Sequence, residues 1–308
     1  MQIDFSIFLQ QLRAEMDLTQ QDLLDILIDE NNLFNKLDLT TLSRWERSIT
    51  TPTLKKQLFI ARLFNSDISQ LIKPEISISN TKKQSLDQYK ERIVNPYSGY
   101  QNKLGLTKLL SFENKEHIYD CLINFHKNFL KIDISKESFE KKSIEMEINI
   151  LTGKHGELVG HFLYAYTPMN TPSDLYYPNN LIECPLMKES SISDNQVTLY
   201  ITSAFSLSSQ PRMMILLMII KILSKNPNIK GLVFKVYNQE ALNFININMD
   251  YEIINKGSKT SGGVKLYGQN YTYLQLFITT EDFLSAKVIS NLIPDMNVHI
   301  EKLLNEQL

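Results

Sequence analysis

Residues 40–52 read TTLSRWERSITTP, and the chain's single tryptophan, Trp45, stands between Arg44 and the pair Glu46-Arg47. Leu42 and Trp45 are three apart, so on a helix they share one face, and that face turns inward. Thr40, Thr41, Ser43 and Arg44 then point outward near the helix N-terminus, where Asp38 is placed to cap it. Upstream, Phe5, Phe8, Leu9, Leu12 and Met16 recur at helical spacing. Leu18-Thr19-Gln20-Gln21-Asp22 restarts the pattern, with Thr19 as N-cap, Asp22 in the first turn, and Leu23, Leu24 and Leu27 as the buried face. Downstream, Pro52 and Thr53 open a fourth helix carrying Leu54, Leu58, Ile60, Ala61 and Leu63, and Ile68 to Ile72 make a short fifth. This order predicts a small all-helical domain over residues 1–72.

The whole chain of 308 residues has room for two or three domains, and 43% hydrophobic residues give each a core. No apolar run approaches the roughly 20 residues that span a bilayer. The stretch from Ser206 to Leu223 comes nearest, and Gln210, Pro211, Arg212 and Lys221 interrupt it. Two cysteines, Cys121 and Cys184, build no disulfide framework, and no secretory signal opens the chain. The expectation is a cytoplasmic protein with no membrane partner. Net charge is −2, and residues 1–72 carry seven Lys and Arg against ten Asp and Glu. A nucleic-acid reading therefore rests on where charges sit, not on their sum.

Taken in order, LTQQDLLDIL, TTLSRWE and TPTLKKQLFIARLF resemble the lambda-repressor/Cro-type (XRE) helix-turn-helix family over roughly residues 3–72. That resemblance implies a double-stranded DNA operator bound by a homodimer on two half-sites. It makes Thr40, Thr41, Ser43 and Arg44 the base-contacting residues, with Arg44 able to meet guanine bidentately. Gln20, Arg47, Thr50, Thr51 and Lys55 become the phosphate-contacting residues, which fix register rather than sequence. Glu46 is expected to tie the reading helix to the scaffold. The chain departs from the pattern in an acidic insertion of about eight residues, Ile28 to Asn35, between the two central helices.

Residues 73–112 change character and read as a connector. Lys73-Pro74-Glu75 breaks the helical run, a short helix is expected from Gln84 to Ile93, and Lys82, Lys83, Lys90, Arg92, Lys103 and Lys108 make the stretch basic. A solvated linker and a phosphate-holding arm both fit that composition.

From Asn114 the pattern becomes α/β. HIYDCLINFHKNFL is helical, and SIEMEINIL and ELVGHFLYAY are strands joined at Thr152-Gly153-Lys154-His155-Gly156. LIECPLMKE and QVTLYITSAF read as strands, PRMMILLMIIKILSKN as an apolar helix and KGLVFKVY as a buried strand. NQEALNFININ is a helix, and YEIINKG and YLQLFITT are the last strands. VTLYITSAFSL, the helix after it and GLVFKVYNQEALNFININMDYEIINKG together resemble the GNAT acetyltransferase fold over residues 113–280, followed by C-terminal helices over 281–308. Phe283, Leu284, Val288, Ile289 and Leu292 stripe the first tail helix, and Val298, Ile300, Leu303 and Leu304 the second, beyond Pro294.

By that resemblance the turn Ser206 to Arg212 cradles the pyrophosphate of acetyl-CoA, with Ser208, Ser209, Gln210 and Arg212 as ligand-binding residues. The turn holds no glycine, and Pro211 removes an N–H donor. The family's tyrosine acid falls near Ile245 or Asn246, and Asp250-Tyr251 replaces its Gly-Phe. The expected architecture is thus multi-domain: an all-α helix-turn-helix domain, then an α/β GNAT-like domain with a helical tail. The expected function is a DNA-binding transcription regulator whose acetyltransferase-like domain is catalytically silent. That domain would sense a small-molecule or peptide effector, or mediate dimerisation, without a cofactor of its own, acetyl-CoA or a related ligand remaining possible. The alternative is an active GNAT N-acetyltransferase with a DNA-binding or autoregulatory N-terminal domain.

Other patterns assign no further chemistry. His117, Cys121 and His126 lack zinc-ligand number and spacing, and no Gly-x-Gly-x-x-Gly, phosphate loop or nucleophile elbow appears. Of Phe162, Tyr164, Tyr166, Tyr176, Tyr177 and Tyr200, plentiful around the expected pocket, most read as core rather than pocket, and Ser261-Gly262-Gly263 reads as a loop between strands.

Overall fold

A computed structural model describes residues 3–72, 78–91, 104–109, 116–130, 135–176, 182–192 and 195–305. The expectations placed on Lys73-Pro74-Glu75, Arg92, Lys103 and Tyr177 fall outside the described residues.

The N-terminal unit consists of α1 (Phe5–Glu15), α2 (Gln20–Glu30), α3 (Leu39–Glu46) and α4 (Leu54–Leu63), with a 3-10 turn at Ile68–Leu71. The sequence signals act as written. Thr19 and Asp22 form a reciprocal capping box on α2, and the Asp38 carboxylate accepts from Thr41 N–H on α3. Leu42 and Trp45 are buried, the latter edge-on to Phe5 at 6.4 Å. The insertion becomes the end of α2 and a 3-10 turn, Asn32–Phe34, that buries Phe34 against Phe59.

The described parts of the stretch read as a connector, 78–91 and 104–109, belong to the packed body. Their helix, α5 (Asn80–Glu91), buries Leu86 and Ser85, and β1 (Gly105–Leu109) is already a strand of the main sheet. The α/β domain continues through α6 (Glu116–Asn124), which runs into a π-helical turn at Phe125–Phe129, and α7 (Lys136–Ser143). Next come β2 (Glu147–Thr152), β3 (Leu158–Pro168), β4 (Val197–Ser206), α8 (Ser209–Lys225), β5 (Ile229–Val236), α9 (Gln239–Asn248) and β6 (Glu252–Lys256). A small hairpin, β7 (Lys259–Leu266) with β8 (Gln269–Tyr271), precedes β9 (Leu274–Thr279). The tail is α10 (Thr280–Ser285), α11 (Lys287–Ser290) and α12 (Met296–Asn305).

Seven strands form one mixed sheet in the order β1-β2-β3-β4-β5-β9-β6. Every adjacent pair is antiparallel except β4 and β5. The late strand–helix–strand–helix–strand unit and the mostly antiparallel sheet are those of the acetyltransferase-like arrangement expected from the sequence. Two apolar layers cover the sheet. One, with α8, α9 and the N-terminal helices, uses Leu199, Ile201, Leu232 and Val236. The other, with α6 and α7, uses Tyr200, Val233, Leu163 and Ile148. Alternation along β4 and β5 sends neighbouring residues to opposite layers.

Two local expectations are corrected. LIECPLMKE is not a strand: only Met187 bridges to Tyr166 among its described residues, because Pro185 interrupts the donors a ladder needs. Ser261-Gly262-Gly263 lies within β7, where the register jumps between Lys259 and Val264, so the glycines form a bulge rather than a free loop.

Candidate functional site

The parallel pairing of β4 with β5 runs only from Val197↔Ile229 to Tyr200↔Val233. Beyond that point β4 stays paired with β3 as far as Ser206, and β5 stays paired with β9 to Val236. The two inner edges therefore diverge while their outer edges are held. The cause is local. Leu163 pairs with Ser203 and Tyr164 with Ile201, so Thr202 is an extra residue, a β-bulge on β4. Bulges bend a strand and increase its twist, and this one follows the last β4–β5 pair. The Thr202 hydroxyl donates to the Leu163 carbonyl at 3.1 Å and pins the bend.

Between the diverging strands lies a cavity of about 310 Å³. Its walls are Ile201 to Ser206 of β4, Phe234 to Val236 of β5, Ile215, Leu216 and Ile219 of α8, and Phe244, Ile245 and Met249 at α9. Phe125 and Phe129 close it from the π-helical turn. The lining is mostly apolar, with a few polar groups among it, as ligand sites generally have.

Lys235 and Ser203 of this lining face the α6–α7 layer, where they meet polar groups that lie outside the cavity wall. Lys235 Nζ donates to Tyr200 Oη at 3.1 Å and sits over the rings of Tyr200 and Tyr273, at 5.4 and 5.9 Å from their centroids. Burial pushes its pKa down from the ordinary lysine value to about 7. His161 Nε2 is 2.8 Å from Ser203 Oγ, and burial, reinforced by His126, pushes its pKa down to about 3. His126 donates from Nδ1 to the Leu122 carbonyl at 2.6 Å, and burial lowers its pKa too. Burial raises the Cys184 thiol to about 12, so it is a neutral thiol near neutral pH.

The turn assigned to the ligand has a different neighbour. Ser208 caps α8 without a side-chain hydrogen bond, Ser209 and Gln210 are half-buried, and Arg212 is buried. Arg212 Nη1 donates to the Tyr89 and Lys90 carbonyls of α5, both at 2.8 Å, and its guanidinium stacks over Tyr89. Tyr89 in turn stacks on Phe244 at 4.9 Å, and Asn248 Nδ2 donates to Ser85 Oγ. Helix α5 thus lies across α8 and α9 where the resemblance put a diphosphate. With no glycine, a proline inside the turn and Arg212 engaged by α5, these residues do not fit a diphosphate. Sequence periodicity gave no sign of this, because the contacts join positions more than 120 residues apart.

In the N-terminal unit, Thr40 and Arg44 are exposed, and Thr41 and Ser43 half-buried, on one side of α3. Arg47, Thr50 and Thr51 are also exposed. Two residues read as phosphate contacts have other partners: Gln20 Nε2 donates to Glu46 Oε2 at 2.5 Å, and Lys55 Nζ pairs with Asp282 of α10 at 2.5 Å. Glu46 is the tie expected for α3, paired with Arg13. Among the described residues no cluster of His, Cys, Asp and Glu could hold a metal ion, and no helix is long and apolar enough to cross a membrane.

No family model matches the chain, and no curated protein matches its sequence. Solved structures do resemble it. FeeM, an N-acyl amino acid synthase from uncultured soil microbes, is 13% identical with a TM-score of 0.40, over 61% of this chain and 97% of that one. TofI, in a ternary complex with an inhibitor and MTA, is 12% identical with a TM-score of 0.37, over 62% and 98%. The AHL synthase LasI is 8% identical with a TM-score of 0.37, over 61% and 96%. The synthases so named are enzymes, and no DNA-binding regulator stands among these neighbours. The expectations of a transcription regulator and of a catalytically silent sensor domain are corrected accordingly. Ser206 and Arg212 of the turn without glycine, and Ile245 where the family's tyrosine was expected, border the cleft between β4 and β5. The cleft is formed nonetheless and holds a lysine of lowered pKa.

Proposed function

We propose that the α/β domain is an acyltransferase that moves an acyl group from a thioester donor to an amine. The observation that carries this reading is the parting of β4 from β5 after Tyr200↔Val233, which opens an apolar cavity against a bulged strand edge. The acyl chain lies among Ile215, Leu216, Ile219, Phe244 and Ile245, where burial of methylene groups supplies binding free energy. The thioester carbonyl lies at the β4 edge past Tyr200, whose backbone N–H groups are released from the β5 ladder and can donate to a developing oxyanion. Acetyl-CoA belongs to the fold's resemblance, but the Ser206–Arg212 turn does not fit its diphosphate.

The test is direct. The full chain is incubated with pantetheine thioesters of two to twelve acyl carbons and a panel of primary amines and amino acids, following thiol release and product mass. Amine-dependent thiol release with amide formation supports the reading. Its absence across the panel overturns it.

The N-terminal unit is proposed to be a helix-turn-helix-type module carried by this enzyme. The supporting observation is that Glu46 joins α3 to α1 and α2 through Arg13 and Gln20, leaving Thr40 and Arg44 outward. Duplex DNA, addressed by Thr40, Thr41, Ser43 and Arg44, and a second copy of the chain are its proposed partners. Anisotropy with a random duplex at low salt, and sedimentation of the full chain, decide each.

A further inference from the structure

We infer that Lys235 and Gln275 form the acceptor subsite of this acyl transfer, holding a primary amine whose proton Lys235 accepts. The inference rests on the acyltransferase reading and adds to it the residues that meet the nucleophile.

The sheet register places the two residues together. Lys235 of β5 and Gln275 of β9 are direct cross-strand partners in an antiparallel pair, so their side chains leave the same face with Cβ atoms about 5 Å apart. That face is the α6–α7 side, opposite the apolar wall that holds the acyl chain. Gln275 is fully buried, and neither its Nε2 nor its Oε1 has a hydrogen-bond partner. A buried amide left without partners destabilises a protein, and such a group in a site is explained by a ligand that supplies them. An ammonium supplies the one Oε1 lacks, donating N–H to it.

Of the two, Lys235 lines the cleft, and Gln275 stands behind it on β9, one strand further from β4. Among the described residues, groups facing Lys235 include Tyr200 on β4, Tyr273 before β9, Cys184 from the segment before β4, and His126 from the turn after α6. Burial raises the pKa values of Cys184 and Tyr273 and lowers that of His126, so all three are neutral near pH 7. A lysine in such surroundings loses its own proton easily, and its pKa near 7 suits a general base working at neutral pH.

The acceptor arrives as an ammonium and gives one proton to Lys235 Nζ. Its nitrogen lone pair attacks the thioester carbonyl, and the C–N bond forms. The C–S bond then breaks, and the sulfur leaves with its electron pair. The second nitrogen proton goes to the thiolate, yielding a thiol and an amide, and Lys235 returns its proton to solvent. No oxidant or reductant is required.

The test uses the full chain, an octanoyl-pantetheine thioester and the best amine of the panel. In the wild type, kcat/KM for the amine should fall as pH drops through about 7. Lys235→Met should lower it at pH 7 by about 10²–10⁴-fold and remove that limb. Gln275→Leu should raise the amine KM about tenfold, the worth of one hydrogen bond, and leave the thioester KM unchanged. It should also leave the melting temperature unchanged or raised, because it removes an unpartnered amide; a structural role for Gln275 would lower it. Turnover with an unshifted acid limb in Lys235→Met, or an unchanged amine KM in Gln275→Leu, overturns the inference alone. No turnover in the wild type with any amine removes the acyltransferase reading and this inference with it.

Discussion

The Arg62 guanidinium of α4 lies buried against the Glu281 carboxylate of α10, joining the N-terminal helices to the α/β domain. Arg62 also donates to the carbonyls of Leu223, Asn226 and Ile229, so it closes the end of α8 and the start of β5. Burial lowers its pKa and Glu281 opposes that shift; an arginine stays charged regardless. Removing one partner leaves a buried charge uncompensated, so Arg62→Ala should lose about 3–5 kcal/mol of stability by denaturant titration. Arg62→Met with Glu281→Met should recover only part of this, because three carbonyls still lack a donor. Full recovery would show that the ion pair alone matters.

Trp45→Ala should cost about 3–5 kcal/mol by opening a cavity beneath α3. Trp45 packs on Phe5 and under Lys56, whose Nζ is 5.8 Å from its ring. An unchanged melting temperature would remove the anchoring role assigned to it.

Chain length should govern donor affinity. Each methylene added to the acyl group should gain about 0.8 kcal/mol, roughly fourfold, until the cleft is filled. Ile219→Trp, which fills the α8 wall, should shorten the preferred chain. A flat dependence of thioester KM on chain length would argue that the acyl group binds elsewhere.

Arg212→Ala should loosen α5. Hydrogen bonds from a charged donor are worth about 1.5–3 kcal/mol, and Arg212 holds the Tyr89 and Lys90 carbonyls. Amide exchange across Asn80–Glu91 should accelerate while exchange in β3 and β4 stays slow. Equal protection in both proteins would show that the Tyr89–Phe244 stack suffices.

Acid should destabilise the fold through His161. Its pKa is depressed from 6.5 to about 3 by burial, with His126 adding to the shift. The unfolded chain therefore binds more protons between those values, and stability must fall as pH drops from 6.5 toward 3. The slope from this group is at most about 1.4 kcal/mol per pH unit. His161→Gln, able to keep a hydrogen bond to Ser203, should flatten the acid limb of melting temperature against pH. An identical limb would assign the sensitivity to other groups.

Local chemistry in the sequence determined most of the helices and several of the strands. Thr19, Asp22 and Asp38 cap where their types and spacing indicate, and Leu42 and Trp45 turn inward, because caps and helical faces depend on neighbours within four residues. The alternation of QVTLYITSAF and KGLVFKVY likewise marked two sheet strands. The tertiary structure alone decided the rest, and the reason is sequence distance. The bulge at Thr202 appears only when β3 is laid against β4, and the cleft only when β4 and β5 fail to stay paired. Lys235 and Gln275 are 40 positions apart and become neighbours through the register of β5 and β9. Arg212, read as a ligand residue by its place at a helix start, meets α5 instead. No pattern in residues 206–212 could show that a helix from the supposed connector would pack there.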